Sequence, residues 1–356
     1  MTNLDLVEAN ALFILKEDAK LILKFLKDRD LISSHLKIDN TDTELIVPLE
    51  FKIDLNIIQL KSHLMRDIKQ SKHKFRIKKL VMKSISDILR EVIPIKLLKF
   101  QPTAYDQIGS IAIIDLKNEI IEYKYNIGNA IMKLHPGTKS VFRKSKAVSG
   151  ITRLRGLELI AGVLNYETVH REYGLNIFVN LEKIYFSPRL STEHRRIAEM
   201  VGPNEIVLDM FGAAAPFGLH ITQLQTAIVY TLDINENATK IISKSLELNK
   251  RLKGEIVIHT GDAKNIVEKY LEQGLSFDRI IMNHPSNALK YLKAADKVLK
   301  KNGIIHMYSF IPMVNHDKLC KRVIMQELKD YQIFDIHKVR QYSPDEYHTC
   351  ITIKKL

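Results

Sequence analysis

The chain has 356 residues, of which 46% are hydrophobic and 27% are charged, and its formal net charge is +13. A chain of this length is long enough for two domains. Its composition, with no low-complexity tract, argues against a disordered protein. Only two cysteines occur, Cys320 and Cys350, which excludes a disulfide framework and a cysteine-based metal site. We expect no metal site at all.

Neither a secretory signal nor a membrane span is expected. The N-terminus, MTNLDLVEANALF, has no basic segment before an apolar run, and no window approaches eighteen uninterrupted apolar residues. The low cysteine content fits a reducing compartment, so we expect a cytoplasmic protein. The positive charge favours binding to a polyanion such as nucleic acid, although a lysine-rich composition throughout the chain is an alternative explanation.

Residues 1–58 are predicted to form a small α/β domain. Helical spacing of apolar residues predicts a helix over residues 17–28, and residues 36–38 and 44–48 alternate like short strands.

A basic stretch over residues 61–83 opens the second predicted domain, residues 59–184. It holds nine lysines and arginines against one acid, and KHKFRIKK (residues 72–79) places Phe75 and Ile77 among the charges. A solvated helix face and a phosphate-contacting surface both fit this pattern. The one-sided sign of the charge favours the phosphate-contacting surface.

The rest of the second predicted domain mixes strands with a helix. An apolar strand is predicted over residues 108–115, and a helix over residues 118–134 with Asn118 as its N-cap. Further strands are predicted over residues 141–144, 175–180 and 183–186.

The third predicted domain, residues 185–356, alternates strands and helices. Strands are predicted over residues 205–209, 227–233, 255–260, 278–282 and 303–310, and helices over residues 218–223, 236–249, 263–272 and 288–300. This alternation predicts a parallel, doubly wound sheet. Two final strands, residues 334–341 and 347–354, have no helix between them and form a predicted antiparallel hairpin, an ending typical of methyltransferases rather than dehydrogenases.

A small-residue loop follows the first strand of this domain, in IVLDMFGAAAPFGLH (residues 206–220). Small residues let a backbone approach a ligand, and the N-terminus of the following helix offers unpaired N–H groups. The loop holds one glycine, Gly212, so the dinucleotide fingerprint G-x-G-x-x-G is absent.

Acidic residues follow three successive predicted strands. Asp209, Asp233 and Asp262 would line one crevice, where Asp233 could accept hydrogen bonds from ribose hydroxyls and Asp262 from an adenine amino group. Acids repel phosphates, so this lining favours the cationic, phosphate-free cofactor S-adenosylmethionine over NAD. The alternative is that Asp233 and Asp262 are helix N-caps. Asn283 follows the fourth strand at the same crevice, where a turn-forming role is the alternative.

Several segments together resemble the archaeal and eukaryotic tRNA guanine-N1 methyltransferases, which act on the guanosine 3′ of the anticodon, position 37. They are SGITRLRGLELIAG, HREYGLNIFVNLEKIYFSPRLSTEHRR, VLDMFGAAAPFG, DRIIMNHPSNALKYL and KVRQYSPDEYH. The resemblance covers nearly the whole chain. It implies an α/β fold: a C-terminal class I, Rossmann-like methyltransferase domain with a parallel sheet and a terminal antiparallel hairpin, preceded by two small α+β domains. It also implies a monomer that binds the anticodon stem-loop and body of tRNA.

The resemblance further implies a catalytic set. Glu193 would be the general base, Arg153 would contact guanine O6, and Asn283 would hold the guanine and the glutamate in register. The chemistry is consistent with these roles, because guanine N1 carries a proton that a base must remove and negative charge then develops on O6. The alternatives are a first-turn helix acid for Glu193 and a phosphate contact or surface ion pair for Arg153.

The resemblance also implies that Tyr185 and Pro285 shape the guanine pocket. The full set of predicted cofactor-binding residues is Tyr185, His194, Asp209, Phe211, Gly212, Pro216, Asp233, Ile234, Asp262, Ala263, Asn283 and Pro285.

Three departures from the family pattern put affinity and substrate range in question. Alanines stand at residues 213–215, where the family has a second glycine, His194 replaces the usual arginine, and His284 stands inside N-x-P. Two other functions therefore stay open. One is a wyosine-pathway transferase that moves a methyl or an aminocarboxypropyl group to the same nucleotide. The other is a non-catalytic tRNA-binding protein with a decayed cofactor loop.

Overall fold

The structure is a computed structural model that describes residues 6–33, 35–55, 68–76, 84–149 and 154–356. The chain divides into two compact units, Met1–Lys83 and Ser84–Leu356. The predicted domain boundaries after residues 58 and 184 stay predictions. Within the described part of the chain, no helix is both long enough and apolar enough to cross a membrane.

Unit 1 is an antiparallel sheet with a helix. Its elements are β1 (Leu6–Leu15), α1 (Ala19–Lys27), β2 (Asp39–Asn40), β3 (Glu44–Leu49) and β4 (Lys69–Arg76). The strand order is β2-β3-β1-β4. Ile22 and Leu26 of α1 pack with Leu12 and Val47 of the sheet, whereas Phe75 of β4 belongs to a second buried cluster. Phe75 is therefore a core residue and not part of a charged surface.

The first half of unit 2 contains a four-stranded sheet, a separate hairpin and two helices. Its elements are α2 (Ile85–Leu89), β5 (Tyr105–Ile108), β6 (Ile111–Ile114), α3 (Lys124–Leu134), β7 (Ser140–Ser149), β8 (Leu154–Gly162), β9 (Glu167–Glu172) and β10 (Leu175–Asn180). The sheet order is β5-β6-β7-β8, and β9 pairs with β10. Ser84 and Asp87 form a capping box that fixes the start of α2.

The second half of unit 2 alternates strands and helices around a seven-stranded sheet. Its elements are α4 (Ser191–Met200), β11 (Ile206–Asp209), α5 (Pro216–Leu224), β12 (Ile228–Asp233), α6 (Asn237–Leu248), β13 (Glu255–Thr260), α7 (Ala263–Glu272), β14 (Phe277–Met282), α8 (Leu292–Val298), β15 (Leu299–Pro312), α9 (His316–Glu327), β16 (Tyr331–Ser343) and β17 (Glu346–Lys355).

The seven strands lie in the order β13-β12-β11-β14-β15-β17-β16. The first five are parallel, and β17 is antiparallel to both of its neighbours. The order reverses between β11 and β14, so a crevice opens at the carboxyl ends of these strands. The predicted parallel sheet with a terminal antiparallel hairpin is confirmed.

Several predicted elements differ from the structure. Residues 36–38 do not form a strand; the short strand β2 follows directly after them and pairs with β3. The predicted strand over residues 108–115 is shorter, β6, and its first residue ends β5, because Gly109 takes a left-handed conformation (φ +53°) that turns the chain back. Residues 183–186 form a turn and an irregular segment, so apolar alternation there reflects burial without strand pairing.

Two helix predictions also needed correction. The predicted helix over residues 118–134 begins as a 3-10 helix over Asn118–Tyr123, and its N-cap is Lys117 rather than Asn118. The predicted helix over residues 288–300 ends at Val298, because Leu299 already pairs with Phe277 in the sheet. The described part of the basic stretch, β4, is a strand and not a helix face.

Candidate active site

A cavity of about 240 Å³ lies at the carboxyl ends of β11, β12, β13 and β14. It brings together most of the residues predicted to bind a cofactor. Those that line it are Tyr185, His194, Phe211, Gly212, Pro216, Asp233, Ile234, Asp262, Ala263, Asn283 and Pro285. Two predicted residues, Asp209 and Glu193, are buried outside this lining. Arg153 lies outside the described residues.

The loop between β11 and α5 forms one wall of the cavity, and two of its alanines are strained. Ala213 and Ala215 have φ values of 47° and 52°, in the left-handed region that favours glycine. A Cβ added to Gly212 would lie 2.1 Å from Thr231 Cγ2, so glycine is required there by its neighbour in β12. The alanines therefore keep a glycine-type loop path at an energetic cost.

Asp233 ties this loop to the end of β12. Its Oδ2 accepts a hydrogen bond from Ala213 N (2.8 Å), and its Oδ1 accepts one from Asn235 N (2.9 Å). Burial raises the pKa of Asp233 above its ordinary value, against these two hydrogen bonds. Asp233 is not the N-cap of α6, since that position belongs to Glu236.

Asp262 does have the alternative role, because it is the N-cap of α7. Its Oδ1 accepts hydrogen bonds from Lys264 N (2.9 Å) and Asn265 N (3.4 Å). Both bonds use one oxygen, and the residue also lines the cavity. A single carboxylate can therefore cap the helix through Oδ1 and accept from a ligand through Oδ2.

Asp209 is fully buried beneath the loop. Its Oδ1 accepts a long hydrogen bond from Phe211 N (3.4 Å), and its Oδ2 has no hydrogen-bond partner among the residues that the structure describes. Burial raises its pKa to about 7, and the nearby charge of Asp233 acts in the same direction. Near neutral pH this carboxyl can hold a proton, so the crevice carries less negative charge than three ionised acids would give it.

Aromatic rings and an amide form another part of the cavity wall. The ring of Phe211 meets those of His284 and Tyr291 edge to face, each at 5.2 Å between centroids. Asn283 also lines the cavity, and its amide makes no hydrogen bond with the described residues. An aromatic ring beside an amide is suited to a nucleobase, which can stack on the ring and hydrogen-bond to the amide.

Glu193 lies near the start of α4 and is held on both carboxylate oxygens. Arg196 donates from Nε to Oε2 and from Nη2 to Oε1, both at 2.7 Å. Tyr308 donates from its hydroxyl to Oε1 at 2.6 Å. Burial, together with the nearby Cys350 and Glu193, raises the pKa of Tyr308 well above its ordinary value, so this hydroxyl keeps its proton. Leu190 and His194, on either side of Glu193 in sequence, line the cavity.

Comparison with known proteins gives the family. The family model described as "TRM5/TYW2 methyltransferase domain" matches residues 168–334, and the one described as "TYW2 N-terminal domain" matches residues 85–165. The tRNA (guanine(37)-N(1))-methyltransferase Trm5b of Methanocaldococcus jannaschii is 30% identical over 337 residues, which are 93% of this chain and 94% of the relative. The chain belongs to the TRM5/TYW2 methyltransferase family.

Two further proteins are similar to this chain. The tRNA 4-demethylwyosine(37)-methyltransferase Taw21 of Saccharolobus solfataricus is 34% identical over 250 residues, 69% of this chain and 92% of the relative. The solved structure titled "The complex structure of aTrm5 and tRNALeu" is 29% identical, with a TM-score of 0.74, and the match covers 97% of this chain and 99% of that one.

Membership in the TRM5/TYW2 family confirms four predictions: the family, the class I methyltransferase fold, the enzyme class and the cofactor, S-adenosylmethionine. The roles of individual residues stay predictions.

The C-terminal hairpin, β16 and β17, forms one side of the cavity, and the sequence did not predict this. Arg340 of β16 pairs with His348 of β17, which pairs with Phe310 of β15, so the three lie in one row across the sheet. Tyr342 stacks on Phe310 at 3.8 Å between ring centroids. Alternation in β16 would have predicted that Arg340 and Tyr342 share a face, but the cross-strand register that brings them to the cavity is not visible in the sequence.

Proposed function

We propose that this protein transfers the methyl group of S-adenosylmethionine to N1 of the guanosine at position 37 of tRNA. The observation that carries the proposal is the cavity, which joins an acid-lined crevice to an aromatic rim with Asn283 at its edge. A relative that aligns over nearly its whole length with this chain is named a tRNA (guanine(37)-N(1))-methyltransferase, which supports the same reaction here.

The residues present fit the proposed cofactor. Asp233 and the second oxygen of Asp262 would accept hydrogen bonds from the ribose and the adenine, and Phe211 would pack against the adenine ring. An acid-lined crevice suits a sulfonium cation better than a phosphate-bearing cofactor. When bound, S-adenosylmethionine would supply an electrophilic methyl group.

The proposed reaction also needs a base, because guanine N1 carries a proton at neutral pH. We assign this role to Glu193, with Asn283 holding the guanine edge and Arg153 neutralising the charge that develops on O6. Glu193 is bound to Arg196 and Tyr308, so one of its oxygens must exchange these partners for the N1 proton when guanosine enters. Leu190 and His194, which flank Glu193 in sequence, line the cavity that the guanosine would enter.

Binding of tRNA is supported by the exposed face of β4 in unit 1. Lys72, Lys74 and Arg76 are exposed and alternate along the strand, opposite the buried Phe75. We expect the double variant Lys72→Glu, Lys74→Glu to weaken tRNA binding and to reduce the slope of log Kd against log salt by about 1 for each phosphate that the variant no longer neutralises. The matched control, Lys240→Glu with Lys250→Glu, makes the same charge change in α6 and the loop after it and should leave the slope unchanged. If both variants had the same slope of log Kd against log salt, the exposed face of β4 would be a solvated surface that does not contact phosphates.

The decisive experiment is product analysis. The protein is incubated with unmodified tRNA and S-adenosylmethionine that carries separate labels on its methyl and aminocarboxypropyl groups. The modified nucleoside is then identified by mass spectrometry. 1-Methylguanosine at position 37 supports the proposal. Tight tRNA binding without transfer and without cofactor binding would refute it and favour a non-catalytic tRNA-binding protein.

A second candidate substrate is favoured by the Taw21 relative, which is named a 4-demethylwyosine(37)-methyltransferase. The same assay with tRNA that carries 4-demethylwyosine at position 37 tests it. Methylation of this tRNA but not of the unmodified one would replace the guanosine proposal. An aminocarboxypropyl product would assign the protein to the other transferase of the wyosine pathway. The expectations of a monomer and of a cytoplasmic location stay predictions.

A further inference from the structure

A buried polar cluster lies behind one wall of the cavity and takes no part in the proposed reaction. Glu172 ends β9, His194 lies in the first half of α4, and His220 lies in α5. One donor atom from each residue lies within 4.8 Å of those of the other two. All three side chains are buried, with at most 2% of any one exposed. Three separate elements of unit 2 therefore converge on one point.

A single carboxylate oxygen contacts both imidazoles. Glu172 Oε2 lies 2.9 Å from His194 Nδ1 and 3.0 Å from His220 Nε2. The other carboxylate oxygen, Oε1, and the remaining His220 nitrogen, Nδ1, are buried without a hydrogen-bond partner in the described ranges. The unsatisfied carboxylate oxygen at such a convergence needs an explanation.

His170 approaches the cluster but is suited to a supporting role. Its Nδ1 accepts a hydrogen bond from Gly109 N (3.3 Å), so the neutral ring carries its proton on Nε2. That Nε2 faces Glu172 Oε1 at 3.6 Å. A ring whose far nitrogen is fixed as an acceptor cannot offer a lone pair at Nε2, but it can orient the carboxylate.

The charge of the cluster is not balanced by a permanent cation. Among the residues described, no lysine or arginine nitrogen lies within 4.0 Å of Glu172, whose ion-pair partners are all histidines. Glu193, by contrast, has Arg196. A buried carboxyl group is stabilised by its own proton or by a compensating cation, and the cation here is either a protonated histidine or a metal ion.

We propose that Glu172, His194 and His220 bind a divalent transition metal ion, for which Zn²⁺ is the best match. Two imidazole nitrogens and one carboxylate oxygen form a donor set that zinc sites use, with water or the second carboxylate oxygen as a fourth ligand. Zinc ligands lie roughly 2.0–2.2 Å from the ion, which places neighbouring donors about 3.3 Å apart, a few tenths of an ångström wider than the present contacts. The ion would join β9, α4 and α5. It would thereby hold in place the part of the cavity wall that contains His194.

The test is direct metal binding to the full chain. After treatment with a chelator and dialysis, the protein is titrated with Zn²⁺ or with Co²⁺, whose visible absorption reports tetrahedral coordination, and bound metal is counted by elemental analysis. We expect one equivalent per chain, a tetrahedral Co²⁺ spectrum and a melting temperature several degrees higher with Zn²⁺ than without it.

Variants identify the site. His220→Asn should weaken binding roughly 100-fold and remove the thermal shift, and His170→Asn, which alters only the supporting ring, should weaken binding roughly tenfold. The matched control His259→Asn changes a histidine of β13 that contacts Tyr270 outside the cluster and should bind metal like the unaltered protein. Absence of stoichiometric metal in the unaltered protein overturns the proposal. Equal binding by His220→Asn also overturns it, because the ion would then occupy another site.

Discussion

Glu193 and Asp209 are both buried carboxyl groups beside the cavity, but their surroundings are opposite in kind. Glu193 binds Arg196 through both oxygens and accepts a third hydrogen bond from Tyr308. Asp209 has one long bond, from Phe211 N, and an oxygen without a partner in the described chain. The first acid is compensated by a permanent cation, and the second is not.

This difference separates the expected roles of the two acids. Arg196 and Tyr308 hold the carboxylate of Glu193 in place, whereas burial without a cation favours the protonated form of Asp209. We therefore expect Glu193 to matter for proton removal and Asp209 to make stability depend on pH. The following predictions test this contrast, from the largest expected effect to the smallest.

The largest effect is expected for Glu193→Gln. An amide cannot accept the N1 proton, so the single-turnover rate of methyl transfer should fall about 10²–10⁴-fold while the Kd for tRNA changes little. The measurement is transfer from labelled S-adenosylmethionine with the protein in excess over tRNA. Thermal unfolding is recorded in parallel, because the substitution also weakens the ion pair with Arg196.

Tyr308→Phe is the matched control for Glu193→Gln. It removes one hydrogen bond to Glu193 and keeps the carboxylate, so we expect less than about a tenfold loss of rate. Equal losses of rate in both variants, or a parallel loss of tRNA affinity in Glu193→Gln, would make Glu193 a structural residue. Glu193 and Asp209 would then differ only in how they affect the stability of the fold.

The second prediction concerns the pH dependence that Asp209 imposes on folding. In the unfolded chain this carboxyl ionises near pH 4, its ordinary value being 3.8, whereas burial raises the folded pKa to about 7. Between these values the folded state holds one more proton than the unfolded state, so the free energy of unfolding decreases as pH rises. The decrease amounts to about 4 kcal/mol in total and levels off above pH 7.

The measurement is urea unfolding of the unaltered protein and of Asp209→Asn between pH 4.5 and pH 8. The amide has no charge to bury, so the stability of the variant relative to the unaltered protein should increase with pH, while the contributions of other groups cancel. A constant difference across this range would show that Asp209 stays ionised in the folded state.

The sequence predicts the location of Asp209 at the crevice better than it predicts the contacts of Glu193. Asp209, Asp233 and Asp262 follow strand ends, and parallel strands bring their carboxyl ends to one edge whatever the details of packing. Tyr308 contacts Glu193 from 115 positions away, which requires the register of β14, β15 and β17. No local pattern encodes such a contact.

The same limit explains why sequence reasoning predicted no metal site. His194 and His220 lie 22 and 48 positions from Glu172 and reach it from separate elements. Metal sites are recognised in sequences when ligands share a turn or a helix face, and these ligands share neither. The strained alanines were visible as a departure from the family, but their φ values follow from the path between β11 and α5.

The smallest change in the free energy of unfolding is expected for a substitution in the loop between β11 and α5. The neighbouring residue of the same loop provides a matched control. Ala213 has a φ of 47° and is only partly buried, so Ala213→Gly should raise the free energy of unfolding by roughly 1 kcal/mol. Ala214 is fully buried and lies outside the left-handed region, so Ala214→Gly should lower it by a similar amount. Urea unfolding measures both. Equal losses from both variants would show that the methyl group of Ala213 stabilises the loop by more than its positive φ costs.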